Sequence, residues 1–157
     1  MPILTKQVTA ASYDEFSKEL HQMLKDHFEE QKTYIPKVLE DPALGKVQDE
    51  YIKDLKKIVS ARDKQMYLIY EAETIVGLLQ ISYTVTNKVI SIDQFFIKKD
   101  FRNKGISGTV LESFISESKK LKFKAITINA FTLDRTRYKL YKTLNFNSHT
   151  HVMFTIL

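Results

Sequence analysis

The stretch Ile97-Lys98-Lys99-Asp100-Phe101-Arg102-Asn103-Lys104-Gly105-Ile106-Ser107-Gly108 joins a run of β-branched and aromatic residues to a run at helical spacing. It therefore reads as a strand-to-helix turn. Two of the four glycines in the chain, Gly105 and Gly108, fall inside it. Small residues let a ligand come close to the backbone, and the unpaired amides of a helix's first turn, at the positive end of its dipole, favour an anion. Lys98, Lys99, Arg102 and Lys104 add positive charge around them. The turn is predicted to be a phosphate site suited to a pyrophosphate, the alternative being a plain turn with solvated lysines.

Outward from this turn the chain organises itself by period. The strand that feeds it runs over 89–97, and the segments 66–70 and 74–83 before it are also rich in β-branched and aromatic residues. Glu71-Ala72-Glu73 joins those two as a tight hairpin. Downstream, Val110, Leu111, Phe114, Ile115 and Leu121 recur at helical spacing over 104–121, and 125–130 reads as a strand, completing a strand-helix-strand unit. A short helix over 135–144 and a last strand within 151–156 follow. At the other end, a strand over 4–8 precedes Ser12 and Glu15, spaced as a capping box. That box opens a helix to residue 30 whose apolar stripe is Phe16, Leu20, Met23, Leu24 and Phe28. Pro36, Pro42 and Gly45 make 32–45 irregular and a candidate border of a ligand site. Val47, Tyr51, Leu55 and Val59, four apart, predict a second helix ending before Asp63. The expectation is a mixed α/β sheet with helices on both faces, a single domain over 1–157.

Composition narrows the chemistry. At 157 residues and 43% hydrophobic the chain can build one sizeable core. It has no cysteine, which excludes disulfides, thiolate metal sites and a cysteine nucleophile. The N-terminus lacks the apolar run of a signal peptide, and no stretch approaches the ~18 apolar residues of a membrane span, so a soluble cytoplasmic protein without a membrane partner is expected. Residues 1–87 hold 11 Lys+Arg against 14 Asp+Glu, net −3, and residues 88–157 hold 13 against 5, net +8. The C-terminal half thus favours an anionic partner: nucleic acid, an anionic surface or a polyphosphate cofactor. No G-x-G-x-x-G is present and Gly45-Lys46 is followed by Val47, where a P-loop needs Ser or Thr, which disfavours nucleotide hydrolysis. Neither G-x-S-x-G nor H-E-x-x-H occurs. His149 and His151 lie two apart with no third ligand at suitable spacing, and no metal site is assigned.

Arg102-x-x-Gly105-x-Ser107 resembles the R/Q-x-x-G-x-G/A motif with which the GNAT superfamily of N-acetyltransferases holds the pyrophosphate of acetyl-CoA. Ser107 departs from the pattern, but serine is small, Gly108 adjoins it, and its hydroxyl can donate to a phosphate oxygen. The resemblance implies that Arg102, Asn103, Lys104, Gly105, Ile106, Ser107 and Gly108 bind the cofactor. Leu140-Tyr141-Lys142-Thr143-Leu144-Asn145-Phe146 is similar to the family's L-Y-x-x-x-G-F, whose tyrosine protonates the departing thiolate. Tyr141 holds that position; an ordinary place on an amphipathic stripe with Tyr138 and Leu144 is the alternative. Asn145 replaces the glycine and is the next best residue for a left-handed helix end.

The run Ser91-Ile92-Asp93-Gln94-Phe95-Phe96-Ile97 resembles the family's splayed fourth strand, which implies that Phe95, Phe96 and Ile97 pair with the pantetheine arm. Asp93 is its one carboxylate and is implied to be the base for the amine, directly or through water, with burial raising its pKa; a solvent-facing aspartate is the other reading. Asn129 is implied to bond the pantetheine amides or the acceptor, or is a plain edge residue. Lys142, Arg135 and Arg137 are the cations available to the adenosine phosphate. The implied activity is direct acetyl transfer from acetyl-CoA to a primary amine of a small molecule or peptide, and many relatives are homodimers. The rivals are a catalytically silent acyl-CoA sensor and a basic nucleic-acid module. The second is disfavoured because most aromatics fall at core spacing instead of among exposed lysines.

Overall fold

The computed structural model describes residues 2–39, 43–131, 133–149, 153 and 155. Its five strands are β1 (Ile3–Val8), β2 (Lys64–Glu71), β3 (Thr74–Thr84), β4 (Val89–Ile97) and β5 (Ala125–Ile128), side by side in chain order. Successive pairs from β1 to β4 are antiparallel, and β5 is parallel to β4 because the crossover helix α4 (Ile106–Lys120) returns the chain to the starting edge. The remaining helices are α1 (Tyr13–Lys32), α2 (Leu44–Lys53), α3 (Leu55–Ser60) and α5 (Arg135–Thr143). This is the mixed α/β sheet with helices on both faces that the sequence predicts, and its pairings are mostly antiparallel.

Alternation along the strands divides the core in two. Leu20, Met23 and Leu24 of α1, with Leu55 and Val59 of α3, pack on Met66, Leu68, Leu78 and Phe96 of one sheet face. Ile106, Val110 and Leu111 of α4, with Tyr141 of α5, pack on Ile69, Leu79, Ile92, Phe95 and Ile97 of the other. Two bulges adjust this alternation, one between Ile69 and Tyr70 and one at Gln80/Ile81, where Gln80 faces Gln94 but Ile81 faces Ile92. Asp93 is the extra residue of the second bulge. Gly77 is required where it stands, since a Cβ there would lie 2.3 Å from the Phe96 carbonyl oxygen.

Local expectations are corrected in three places. Ser12 precedes α1 but its side chain caps nothing; its hydroxyl instead accepts the Thr9 N–H at 3.0 Å in a turn that delivers the chain from β1. The predicted second helix is two helices, interrupted at Asp54. β5 ends at Ile128, two residues before the predicted 130. The predicted strand within 151–156 falls mostly outside the described residues, as does His151, and His149 is exposed. Among the described residues no helix is long and apolar enough to cross a membrane.

Candidate active site

β4 and β5 pair from Val89↔Ala125 to Ile92↔Ile128 and then part. The last five residues of β4 therefore keep a neighbour only in β3. Lys98 N–H bonds Val76 O at 2.9 Å; counting back by two, Phe96 turns its main chain to Leu78 of β3, and Phe95 and Ile97 turn theirs to the open side. Two guanidinium groups reach into this split, Arg137 donating to Phe95 O at 3.3 Å and Arg102 Nε–H to Ile97 O at 2.8 Å. The amides of Phe95 and Ile97 face the same side.

Beyond Ile97 a single 3-10 turn, Lys99–Phe101, leads into the glycine-bearing loop. Asn103 and Gly105 both take left-handed backbone, at φ 59° and 79°, which asparagine and glycine tolerate best. Gly105 starts α4 with no side-chain cap, and the first helical bond is Thr109 N–H to Gly105 O at 3.0 Å. From Asn103 to Gly108 no amide has an acceptor among the described residues. These donors, the dipole of a 15-residue helix and a lining with no carboxylate among the described residues give the loop the chemistry of an anion cradle.

The cradle opens on a cavity of about 270 Å³ whose walls are Phe95 and Ile97, Phe101 to Asn103, Gly105 to Gly108, and Thr136, Arg137, Leu140 and Tyr141 of α5. Tyr141 is 5% exposed, and burial pushes its phenol up to about 12 against the pull of Arg137. Its hydroxyl has no hydrogen-bond partner among the described residues, and its ring meets Phe146 edge-on at 5.9 Å. The end of α5 holds it: Asn145 is left-handed at φ 65°, and Phe146 N–H returns to Tyr141 O at 3.0 Å. Asparagine thus does here what the glycine of L-Y-x-x-x-G-F would do. Behind Tyr141 and Arg137 lies a second, small cavity of about 20 Å³, walled by Glu30, Tyr34, Asn129, Phe131 and Asp134.

The structure brings Phe95, Ile97, Arg102, Asn103, Gly105, Ile106, Ser107, Gly108 and Tyr141 to one cavity, and sets the other predicted residues apart. Phe96 places its main chain against β3 and its ring in the opposite core, so it offers no pairing in the split. Asn129 belongs to the small cavity. Lys104 is exposed with its ammonium 5.1 Å from the Phe101 ring, and Lys142 is exposed outside both cavities. Arg102 lines the cavity, but its guanidinium is engaged elsewhere, in a fork on Glu30 at 2.7 and 2.6 Å and over the Phe96 ring. Arg137, expected near a surface phosphate, instead stands between the cavities, 3.2 Å from Asp134 and 3.7 Å from Glu30. Burial works to raise the Glu30 carboxyl, but the hydrogen bonds and charge of Arg102, with the charge of Arg137, outweigh it and hold the group below its usual range.

Asp93 is exposed, so the burial expected of it is not found. It sits on the α1–α3 face, where Gln80 Nε2–H donates to its Oδ2 at 3.0 Å and Tyr51 O–H donates to Gln80 Oε1 at 2.5 Å. The cofactor-side groups and Asp93 thus approach the split from opposite faces of the sheet. Glu30, Gln80, Tyr51 and His27 escaped the sequence reading. A signal existed for two of them: Gln80 is a lone amide inside an apolar strand, and His27 lies on the Leu20–Leu24–Phe28 stripe of α1.

Residues 25–153 match the family model described as the acetyltransferase (GNAT) domain. No curated protein matches the sequence significantly. Among solved structures the chain is similar to YycN of Bacillus subtilis, with a TM-score of 0.78 at 17% identity over 99% of both chains. It is also similar to the PaiA N-acetyltransferase of Thermoplasma acidophilum in complex with coenzyme A, with a TM-score of 0.72 at 13% identity over 92% of this chain and 89% of that one. The aminoglycoside acetyltransferase HMB0005 from an uncultured soil metagenomic sample superposes with a TM-score of 0.68 at 16% identity, over 100% and 99% of the two chains. At these identities the likeness is one of fold.

Proposed function

The chain belongs to the GNAT acetyltransferase family, and from that premise we propose that it transfers an acetyl group from acetyl-CoA directly to a primary amine of a small molecule or peptide. The observation that carries this reading is the row of amides from Asn103 to Gly108 without acceptors among the described residues, opening on a cavity that also contains the free side of β4 and Tyr141. The chemistry of this donor set fits the cosubstrate: consecutive amides suit a diphosphate, and a strand edge suits an amide-bearing arm. When bound, acetyl-CoA supplies an activated thioester.

The chain's own residues supply the rest. The amides of Phe95 and Ile97 can orient an arm along β4, once Arg137 yields Phe95 O. Tyr141, protonated at every working pH because burial lifts its phenol to about 12, carries a proton available to a departing thiolate. Asp93 accepts the proton of an amine arriving on the α1–α3 face. Having no cysteine to carry an acyl group, the chain favours a ternary complex, in which positioning provides much of the rate.

The test is thermal stabilisation by acetyl-CoA followed by a panel of amines monitored for free thiol. Specific binding stabilises the fold by RT ln(1 + L/Kd), where L is the free acetyl-CoA concentration, so the melting temperature climbs with the logarithm of that concentration. Tyr141→Phe is expected to lower kcat by roughly 100- to 10,000-fold, the usual worth of a general acid, and to leave acetyl-CoA affinity intact. A protein not stabilised by acetyl-CoA at millimolar concentration rejects the reading. Stabilisation with no turnover on any amine favours the silent sensor.

A further inference from the structure

A carboxylate that is to accept a proton must be held, and Asp93 stands exposed at a bulge where the ladder with β3 is interrupted. Its one side-chain hydrogen bond among the described residues comes from Gln80. Gln80 is 1% exposed, flanked in β3 by Leu78, Leu79 and Ile81. A buried amide costs free energy unless its polar ends are satisfied, and an apolar residue would fill this strand position at no such cost. Both ends of Gln80 are satisfied in one direction of donation: Tyr51 O–H gives to Oε1 at 2.5 Å, and Nε2–H gives to Asp93 Oδ2 at 3.0 Å, with a weaker contact to Ile81 O at 3.4 Å. The carboxylate can only accept, so Gln80 turns its nitrogen to Asp93, and the hydroxyl from α2 anchors the amide oxygen left on the other side. The Gln80/Ile81 bulge places Asp93 beside this nitrogen.

We propose that Gln80 is a positioning residue for Asp93, anchored at its amide oxygen by the Tyr51 hydroxyl, holding Oδ2 so that Oδ1 is presented to the incoming amine. The inference rests on the acetyltransferase reading and extends it to a residue that touches no reactant.

The test is a double-mutant cycle. Gln80→Met keeps the length of the side chain and removes its polar ends. It is expected to lower kcat by about 10- to 100-fold, the upper figure being what a misplacement of about 1 Å costs, with the acetyl-CoA dissociation constant unchanged. In the Asp93→Asn background the same substitution costs nothing further, because the group it positions is gone. Losses that multiply across the cycle overturn the proposal, since a general structural role has that signature. Tyr51→Phe, which leaves Gln80 in place but removes the hydroxyl that anchors its amide oxygen, is the second variant if Gln80→Met fails to fold, and it is expected to lower kcat in the same direction with no added loss in Asp93→Asn. A readout independent of turnover separates this proposal from the functional reading: the carboxyl 13C resonance of Asp93 shifts in Gln80→Met or Tyr51→Phe. An unmoved resonance overturns the positioning role even in an active enzyme, whereas a shifted resonance in a protein without transferase activity rejects the function and leaves the Gln80–Asp93 linkage standing.

Discussion

His27 is 2% exposed, on the α1 stripe, 5.4 Å from the Phe96 ring, and its Nε2 accepts from Gln31 Nε2–H at 3.1 Å. Burial, reinforced by the Arg137 charge, pushes its pKa down to about 4. An imidazole held neutral in the folded chain but free to charge near 6.5 when unfolded penalises the fold only in acid. Stability is unaffected by this group above pH 6.5 and falls progressively down to about pH 4. The total over that window is on the order of 3 kcal/mol. His27→Gln, which keeps a polar partner for Gln31, is expected to flatten stability between pH 6.5 and 4.5 in urea titrations; an unchanged slope would mean that the histidine charges in place. The residue was visible in the sequence as one polar member of an apolar stripe, but its environment was not, because Phe96 and Arg137 reach it only through the sheet.

At the scale of elements, the break between α2 and α3 shows what spacing can and cannot tell. Val47, Tyr51, Leu55 and Val59 stand four apart, and each step of four advances about 40° beyond a full turn of an ideal helix. Three steps carry the stripe through roughly 120°, too far for one straight helix to bury all four. The chain buries Leu55 and Val59, leaves Val47 58% exposed, and restarts at Asp54. The glycine loop was legible because its chemistry is local; the fork that supports it was not, because Glu30 and Arg102 are 72 positions apart. That fork ties the end of α1 to the end of β4. Arg102→Ala leaves the Glu30 carboxylate, 13% exposed, with Arg137 at 3.7 Å as its remaining cation, and breaking such a pair costs about 3 kcal/mol. Arg102→Lys keeps the charge without the fork and is expected to recover part of the stability in urea melts. A loss below about 0.5 kcal/mol in Arg102→Ala, the scale of an exposed pair, would show the fork to be decorative.

For the whole molecule, the charge division seen in the sequence has a spatial meaning. The net −3 portion supplies α1 to α3 and the first strands, and the net +8 portion supplies the loop, α4, β5 and α5. Composition could not say which cations remain available. Lys98 is paired with Glu19, Arg102 and Arg137 with Glu30, and Lys120 with Glu117. Lys99 and Lys104, on either side of the bend before α4, are exposed and without an ion pair among the described residues. With Arg135 and Lys142, exposed on α5, they are among the charges left to draw a polyanion, and they flank the amides of 103–108. Exposed charges act through solvent, so their contribution must fade as the screening length shortens from about 10 Å at 0.1 M salt to about 3 Å at 1 M. Replacing both lysines with glutamate is therefore expected to weaken acetyl-CoA binding about 10-fold at low salt and much less at 1 M, with kcat at saturation unchanged. Calorimetry at two ionic strengths measures it. A loss that persists at high salt would assign the lysines to direct contacts on the phosphates, and no loss at either would leave the backbone cradle to hold the anion without help from the surrounding field.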